Sequence, residues 1–303
     1  MADAWPFAQS VTPRLRLGSR QARVRAATFA PITLLYVLFL VGPLSFFLVI
    51  SFFKYSPMEM YVPVLTTENY TRFLFDSYYQ NVLLTTLRIG AVTTVICLVL
   101  GYGLALFLAR TRTRWQGVLM FLIIAPLMTG VIVRTYAWIL LLAREGVVNQ
   151  ALRSTGFITQ PLEILHTETA VIVALVHILL PYAVFPIYSA IAVQDRDLER
   201  AAFTLGAGRL RSFLEITLPL SRPGIIMGSV LVFTLATGAV VTPSLLGGKS
   251  VQTLGMTVYS LVVSTLNWPL AAAFASILVL AQFGIVLLYM GRSRDPAGAG
   301  DGA

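Results

Sequence analysis

Residues 168–192 read Glu-Thr-Ala-Val-Ile-Val-Ala-Leu-Val-His-Ile-Leu-Leu-Pro-Tyr-Ala-Val-Phe-Pro-Ile-Tyr-Ser-Ala-Ile-Ala, and after Glu168 none carries a fixed charge. As a helix rising 1.5 Å per residue, this run crosses a hydrocarbon core of about 30 Å. Comparable runs lie near 29–53, 82–109, 117–143, 224–246 and 269–290. The chain therefore reads as an all-α polytopic membrane protein with about six transmembrane helices. Composition agrees: of 303 residues, 57% are hydrophobic and only 12% charged, and the mean hydropathy is +0.81. These values lie outside the usual soluble range and exclude a soluble enzyme.

The 22 Lys and Arg residues orient the spans, because basic residues collect in short cytoplasmic loops. One side carries Arg14, Arg16, Arg20, Arg23 and Arg25; Arg110, Arg112 and Arg114; Arg196, Arg200, Arg209, Arg211 and Arg222; and Arg292 and Arg294. The other side carries only Lys54, Arg72, Arg144, Arg153 and Lys249. Both termini are thus expected in the cytoplasm. The organisation that follows is a cytoplasmic arm at 1–28, a first span at 29–53, a periplasmic loop at 54–81, a core domain at 82–290 and a disordered tail at 291–303. The arm reads as retained rather than as a cleaved signal, since its arginines lie far from Met1 and the next apolar run is long. The net charge of +9 reflects this asymmetry together with contact to anionic lipid. No alternation of aromatic and basic residues suggests a nucleic-acid surface.

Several chemistries lack their residues. Cys97 has no partner cysteine, and His166 and His177 are too far apart for adjacent helical ligands, so both histidines read as structural and no metal site is expected. No GxxxxGK[ST] loop is present, so the chain should hold no nucleotide of its own. An ion-coupled secondary transporter would show acids within the spans or inverted halves, and a membrane-embedded hydrolase would show an intramembrane dyad; neither pattern is found.

The loop 193–223 is longer than a linker needs to be. Leu198, Ala201, Ala202 and Leu205 repeat as one helical face, Gly206 and Gly208 interrupt it, and Leu210, Phe213, Leu214 and Thr217 form a second face. Pro219 and Pro223 limit continuation into the next span. The pattern is helix, bend at Gly206, helix. Its small Ala201 and Ala202 suit docking against another surface, while a helix lying on the membrane interface is the competing reading.

The spacing Ala201-Ala202, Gly206, Ile216 and Leu218-Pro219 resembles the EAA-type loop of the binding-protein-dependent permeases of ATP-binding-cassette importers, of the MetI-like type I architecture. The glutamate usual before the alanine pair is Arg200 here, with Glu199 one position earlier. The resemblance implies a coupling helix on a cytoplasmic ATPase dimer, with Leu198, Glu199, Arg200, Ala201, Ala202, Leu205, Gly206, Ile216, Leu218 and Pro219 as the contact set. It further implies a second permease, a periplasmic solute-binding protein and residence in a bacterial inner membrane, with ATP and magnesium used by the ATPase and no cofactor on this chain.

A narrower resemblance, to the spermidine/putrescine branch, rests on four stretches. They are Gly101-Tyr-Gly-Leu-Ala-Leu-Phe-Leu-Ala-Arg110; Val133-Arg-Thr-Tyr-Ala-Trp138; Leu180-Pro-Tyr182 with Pro186-Ile-Tyr-Ser-Ala190; and Leu245-Leu-Gly-Gly248 with Asn267-Trp-Pro269. Permeases for iron, opines, thiamine or aminophosphonates share parts of this pattern. Ammonium groups favour carboxylates and ring faces, the latter worth ~0.5–2 kcal/mol each. Tyr136, Trp138, Tyr182 and Tyr188 are candidate rings, Glu145 a candidate acid, and Thr237 and Thr242 uncharged polar points on the pathway; each of the four rings also reads as helix packing or an interfacial anchor. Arg134 lies within a span and reads as structural, paired with Glu145 or a helix C-terminus. Arg88, near a span end, is placed to snorkel.

Overall fold

The computed structural model describes residues 29, 31, 33–111 and 114–293, without the side chains of 289–293. The basic arm at 1–28 and the tail from 294 lie outside the described residues, as do Arg112 and Thr113. The chain forms two units, Met1–Val49 and Ile50–Ala303. The first is seen as helix α1 (Thr33–Ile50), whose last residue opens the second unit.

In the second unit a hairpin comes first, β1 (Phe53–Ser56) against β2 (Met60–Leu65), with Tyr55 opposite Tyr61. Then come α2 (Glu68–Phe75) and α3 (Ser77–Arg110). The stretch expected as a simple loop at 54–81 is thus largely ordered secondary structure. Asn69 Nδ2 holds it by donating to the Ser51 and Phe53 carbonyls at 2.8 and 3.0 Å. Asp76 caps α3 by accepting from the Tyr78 N–H at 2.9 Å, so this helix starts five residues before the expected span boundary.

The run 117–143 is not one straight span. It divides into α4 (Gln116–Ile124), continued by a tight turn Ala125–Met128, and α5 (Val131–Leu142), and the chain bends by 99° at this break. Pro126 lacks an N–H, and Thr129-Gly130 then leaves the helical conformation, so the ladder is interrupted where the turn falls. After α6 (Val147–Ser154) comes α7 (Glu168–Ala192), capped by Thr167 and carrying Pro181 and Pro186 internally. The loop helices α8 (Arg196–Thr204) and α9 (Arg209–Leu220) follow, and at Ser221 the chain turns 64° into α10 (Arg222–Thr237). A π-helical turn at Pro243–Gly247, α11 (Leu254–Val263) and α12 (Trp268–Ser293) complete the unit. The run expected as one span at 224–246 therefore stops being regular helix at Thr237.

Helices α3, α7 and α10 form the core, and glycine permits their close approach. A Cβ on Gly101 would meet the Ala183 Cβ at 3.0 Å, and one on Gly90 would meet Thr237 at 2.4 Å. In a membrane such contact replaces the hydrophobic driving force between helices, since lipid is as apolar as a leucine side chain. Val171, Ala174, Ala183 and Val232 are completely buried there, with Cys97 bonded weakly to the Val176 carbonyl. A second cluster joins α2 and the start of α3 to α12 through edge-on rings, Phe73 and Tyr79 against Phe274 at centroid distances of 5.1 and 4.6 Å.

Candidate functional site

The loop between α7 and α10 is a helical hairpin. Asp195 starts α8 by accepting from the Asp197 N–H at 2.9 Å. At its other end Gly206 takes φ +86°, a left-handed conformation that other residues adopt only with strain. The Gly206 N–H bonds the Phe203 carbonyl at 3.0 Å and the Ala207 N–H bonds the Ala202 carbonyl at 2.9 Å. This paired closure satisfies carbonyls that the helix end would leave free, and it directs the chain into α9. Pro219 does not end α9. The π-helical turn Phe213–Thr217 just before it accommodates the missing donor, and the helix continues to Leu220.

The hairpin displays apolar side chains at its surface. Leu198, Ala201, Leu205, Leu210 and Leu214 are exposed, Leu205 at 88% and Leu210 at 70%, while Ala202, Ile216, Leu218 and Pro219 are half-buried. Arg200 occupies the position of the usual glutamate and points outward, pairing with Asp197 at 2.7 Å with both side chains largely exposed.

Glu199 turns the other way. Its Oε1 accepts from Arg110 Nη2 at 2.5 Å and from the Thr217 hydroxyl at 2.6 Å. Arg110 also reaches Gln194 Oε1 at 3.4 Å, and Arg196 Nη2 donates to the Ala109 carbonyl at 2.8 Å. Glu199 is therefore held within the chain and not on the exposed strip with Leu198 and Leu205. Arg196 entered the sequence reading only as an orientation charge, Arg110 as an orientation charge and the end of the Gly101–Arg110 stretch, and Thr217 only as part of an apolar face. Their partners lie 18 to 89 positions away in the chain, beyond the reach of local periodicity.

The candidate pathway residues separate. Tyr136 and Tyr182 are exposed. Trp138 Nε1 donates to His177 Nδ1 at 3.3 Å, with the rings edge-on at 5.6 Å. Thr237 and Thr242 do not line an open path in this chain. Thr237 is completely buried, accepting from Gln282 Nε2 of α12 at 2.7 Å and donating to the Phe233 carbonyl; Thr242 is buried against the Thr135 hydroxyl at 3.2 Å. Both threonines instead satisfy polar groups between packed helices. Glu145 is exposed and faces Arg153 at 3.9 Å, so it is not the partner expected for Arg134. Arg134 Nε and Nη1 are buried with no hydrogen-bond partner among the described residues. Arg88 does not simply snorkel, since it pairs with Glu168 at the start of α7. That contact joins α3 to α7 at the end of the core opposite Arg110.

The site thus sits on a helical membrane domain with an interrupted third span and an exposed apolar hairpin before the fifth. Residues 98–296 match the family described as binding-protein-dependent transport system inner membrane component. The chain is 37% identical over 258 residues to the spermidine/putrescine transport system permease protein PotB of Escherichia coli K12, covering 85% of this chain and 94% of that relative. It is 34% identical to PotB of Haemophilus influenzae, covering 84% and 88%, and 32% identical to the molybdenum transport system permease protein ModB of Mycobacterium bovis, covering 72% and 81%. A solved bacterial ABC transporter involved in alginate import shares the fold, with a TM-score of 0.73 at 16% identity over 91% of this chain and 96% of that one. The chain belongs to the binding-protein-dependent transport system inner membrane component family.

Proposed function

We propose that this chain is the permease subunit of an ATP-driven importer that carries polyamines of the spermidine and putrescine type. The exposed helix-bend-helix, closed at Gly206 and carrying Leu198, Ala201 and Leu205 outward, carries the importer reading. An apolar strip on a hairpin that also bears Arg200, Arg209 and Arg211 suits a partner groove better than bulk water. The partner is a dimer of cytoplasmic ATPase subunits, which hold ATP and magnesium. A second permease completes the translocation path, and a periplasmic protein delivers the solute. The distribution of Arg supports a cytoplasmic side for the hairpin and both termini.

The PotB relatives support the polyamine substrate. The physical requirement is a path that attracts ammonium groups without trapping them. Exposed Tyr136 and Tyr182 offer ring faces worth ~0.5–2 kcal/mol each, weak enough for release. With Glu168 only at a span end and no Asp or Glu deeper in the spans of this chain, the carboxylates come from the second permease or the delivering protein.

Reconstitution tests the reading. Proteoliposomes holding both permeases, the ATPase and the binding protein should take up radiolabelled putrescine or spermidine only with ATP, and the purified chain alone should not hydrolyse it. Uptake of an anion or a metal chelate in place of polyamine would refute the substrate. ATP turnover by the isolated chain would refute its role as a subunit without a nucleotide site. Ala202→Asp, which puts a charge on the docking helix, should abolish capture of the ATPase.

A further inference from the structure

We propose that Glu199 is a positioning residue that clamps the docking hairpin to the membrane helices, so that motion of the hairpin passes to α3 and α7 together. The inference rests on the docking role proposed above. Three segments meet at this carboxylate, and a fourth joins its partners. Arg110 comes from the end of α3, Thr217 from α9, and Glu199 itself from α8. Gln194, just after α7, joins them by accepting from Arg110 and donating to the Thr217 carbonyl, both at 3.4 Å. Arg196 adds a second tie, from the first turn of α8 to the carbonyls of Ala109 and Arg110 at 2.8 and 3.3 Å.

Packing alone does not make this connection. Between α3 and the hairpin lies an open cleft of about 570 Å³, lined in part by Gly103, Phe107, Phe203, Arg209 and Phe213, with Arg110, Glu199 and Thr217 also on its wall. An open cleft limits direct packing between its two walls, so directional polar bonds carry more of the link there. The side chains of Arg110 and Glu199 are 20% and 23% exposed, which shields their attraction from salt better than that of Arg200 and Asp197 at 75% and 72%. Adjacent positions in α8 thus divide the work: Arg200 faces outward, and Glu199 holds the helix from behind.

The clamp is tested in the complete reconstituted importer by measuring solute carried per ATP hydrolysed. Glu199→Gln keeps the size and an acceptor for Thr217 but removes the charge. It should insert normally and capture the ATPase at the wild-type level, while solute carried per ATP falls about fivefold or more, the lower range of coupling between sites. Arg110→Gln should do the same, and the double substitution should be no worse than either alone, because both remove one link. Exchanging the charges, Arg110→Glu with Glu199→Arg, should recover part of the ratio. A wild-type ratio in Glu199→Gln overturns the clamp. So does a fall in membrane yield and ATPase capture that accounts for the lost transport, since that is the signature of a purely structural contact. Wild-type capture by Ala202→Asp overturns the docking reading itself, and the clamp with it.

Discussion

Gly224, near the start of α10, lies so close to Pro186 of α7 that a Cβ there would come within 2.5 Å of the Pro186 carbonyl oxygen. The same atom would meet the Ala190 Cβ at 2.7 Å and the Ile187 Cα at 2.9 Å. Two of these three neighbours are backbone atoms, so rotating a side chain cannot make room. This contact fixes how the helix leaving the hairpin meets the most buried span of the core.

Gly224→Val should therefore destabilise the folded domain by about 1–3 kcal/mol, the usual cost of overfilling a close-packed site. Thermal unfolding in detergent should show the loss. Gly103→Ala is the control: a Cβ there has no neighbour within 4 Å, and its melting temperature should stay near the wild-type value.

At Gly206 the obstacle is conformational. A Cβ there meets nothing within 4 Å, but φ is +86°. Gly206→Val should cost on the order of 1–3 kcal/mol locally and release the hairpin bend. Gly206→Asn, a residue that tolerates left-handed backbone better, should retain more function. The ATPase captured by each variant, at equal membrane yield, gives the ranking; equal capture by Val, Asn and wild type would contradict it.

Thr237→Val should act on stability and leave substrate preference alone. It removes the hydroxyl that accepts from Gln282 and leaves a half-buried amide without its partner, at a cost of about 0.6–2 kcal/mol for an interhelical bond of this kind. The melting temperature should fall while the relative uptake of putrescine and spermidine stays constant. A changed preference would return Thr237 to the pathway.

Arg134 presents the opposite case. A guanidinium with two buried, unpartnered nitrogens costs free energy to keep inside a protein, and an apolar residue of similar length often does as well or better. Arg134→Met should leave the melting temperature of the isolated chain unchanged or raise it. A lower melting temperature would mean that the charge is compensated within the chain.

The class of protein was legible in order and spacing alone. Long apolar runs must become spans because lipid offers no partner for an exposed backbone group, and that requirement does not depend on which helix neighbours which. The hairpin could also be read locally, since a repeat of 3.6 residues and a glycine at the point of closure are properties of adjacent positions. Tertiary structure decided what depends on distant residues meeting. Glu199 and Arg200 are neighbours in α8, yet one faces Arg110, 89 positions away, and the other faces outward. Thr237 and Thr242 had the composition expected of a polar path, but Gln282 and Thr135 consume their hydroxyls. The 99° break in the third span followed from Pro126 and Gly130 acting together, where either alone can sit inside a membrane helix. A one-dimensional pattern records which groups need partners; only the packing of α3, α7, α10 and the hairpin chose those partners.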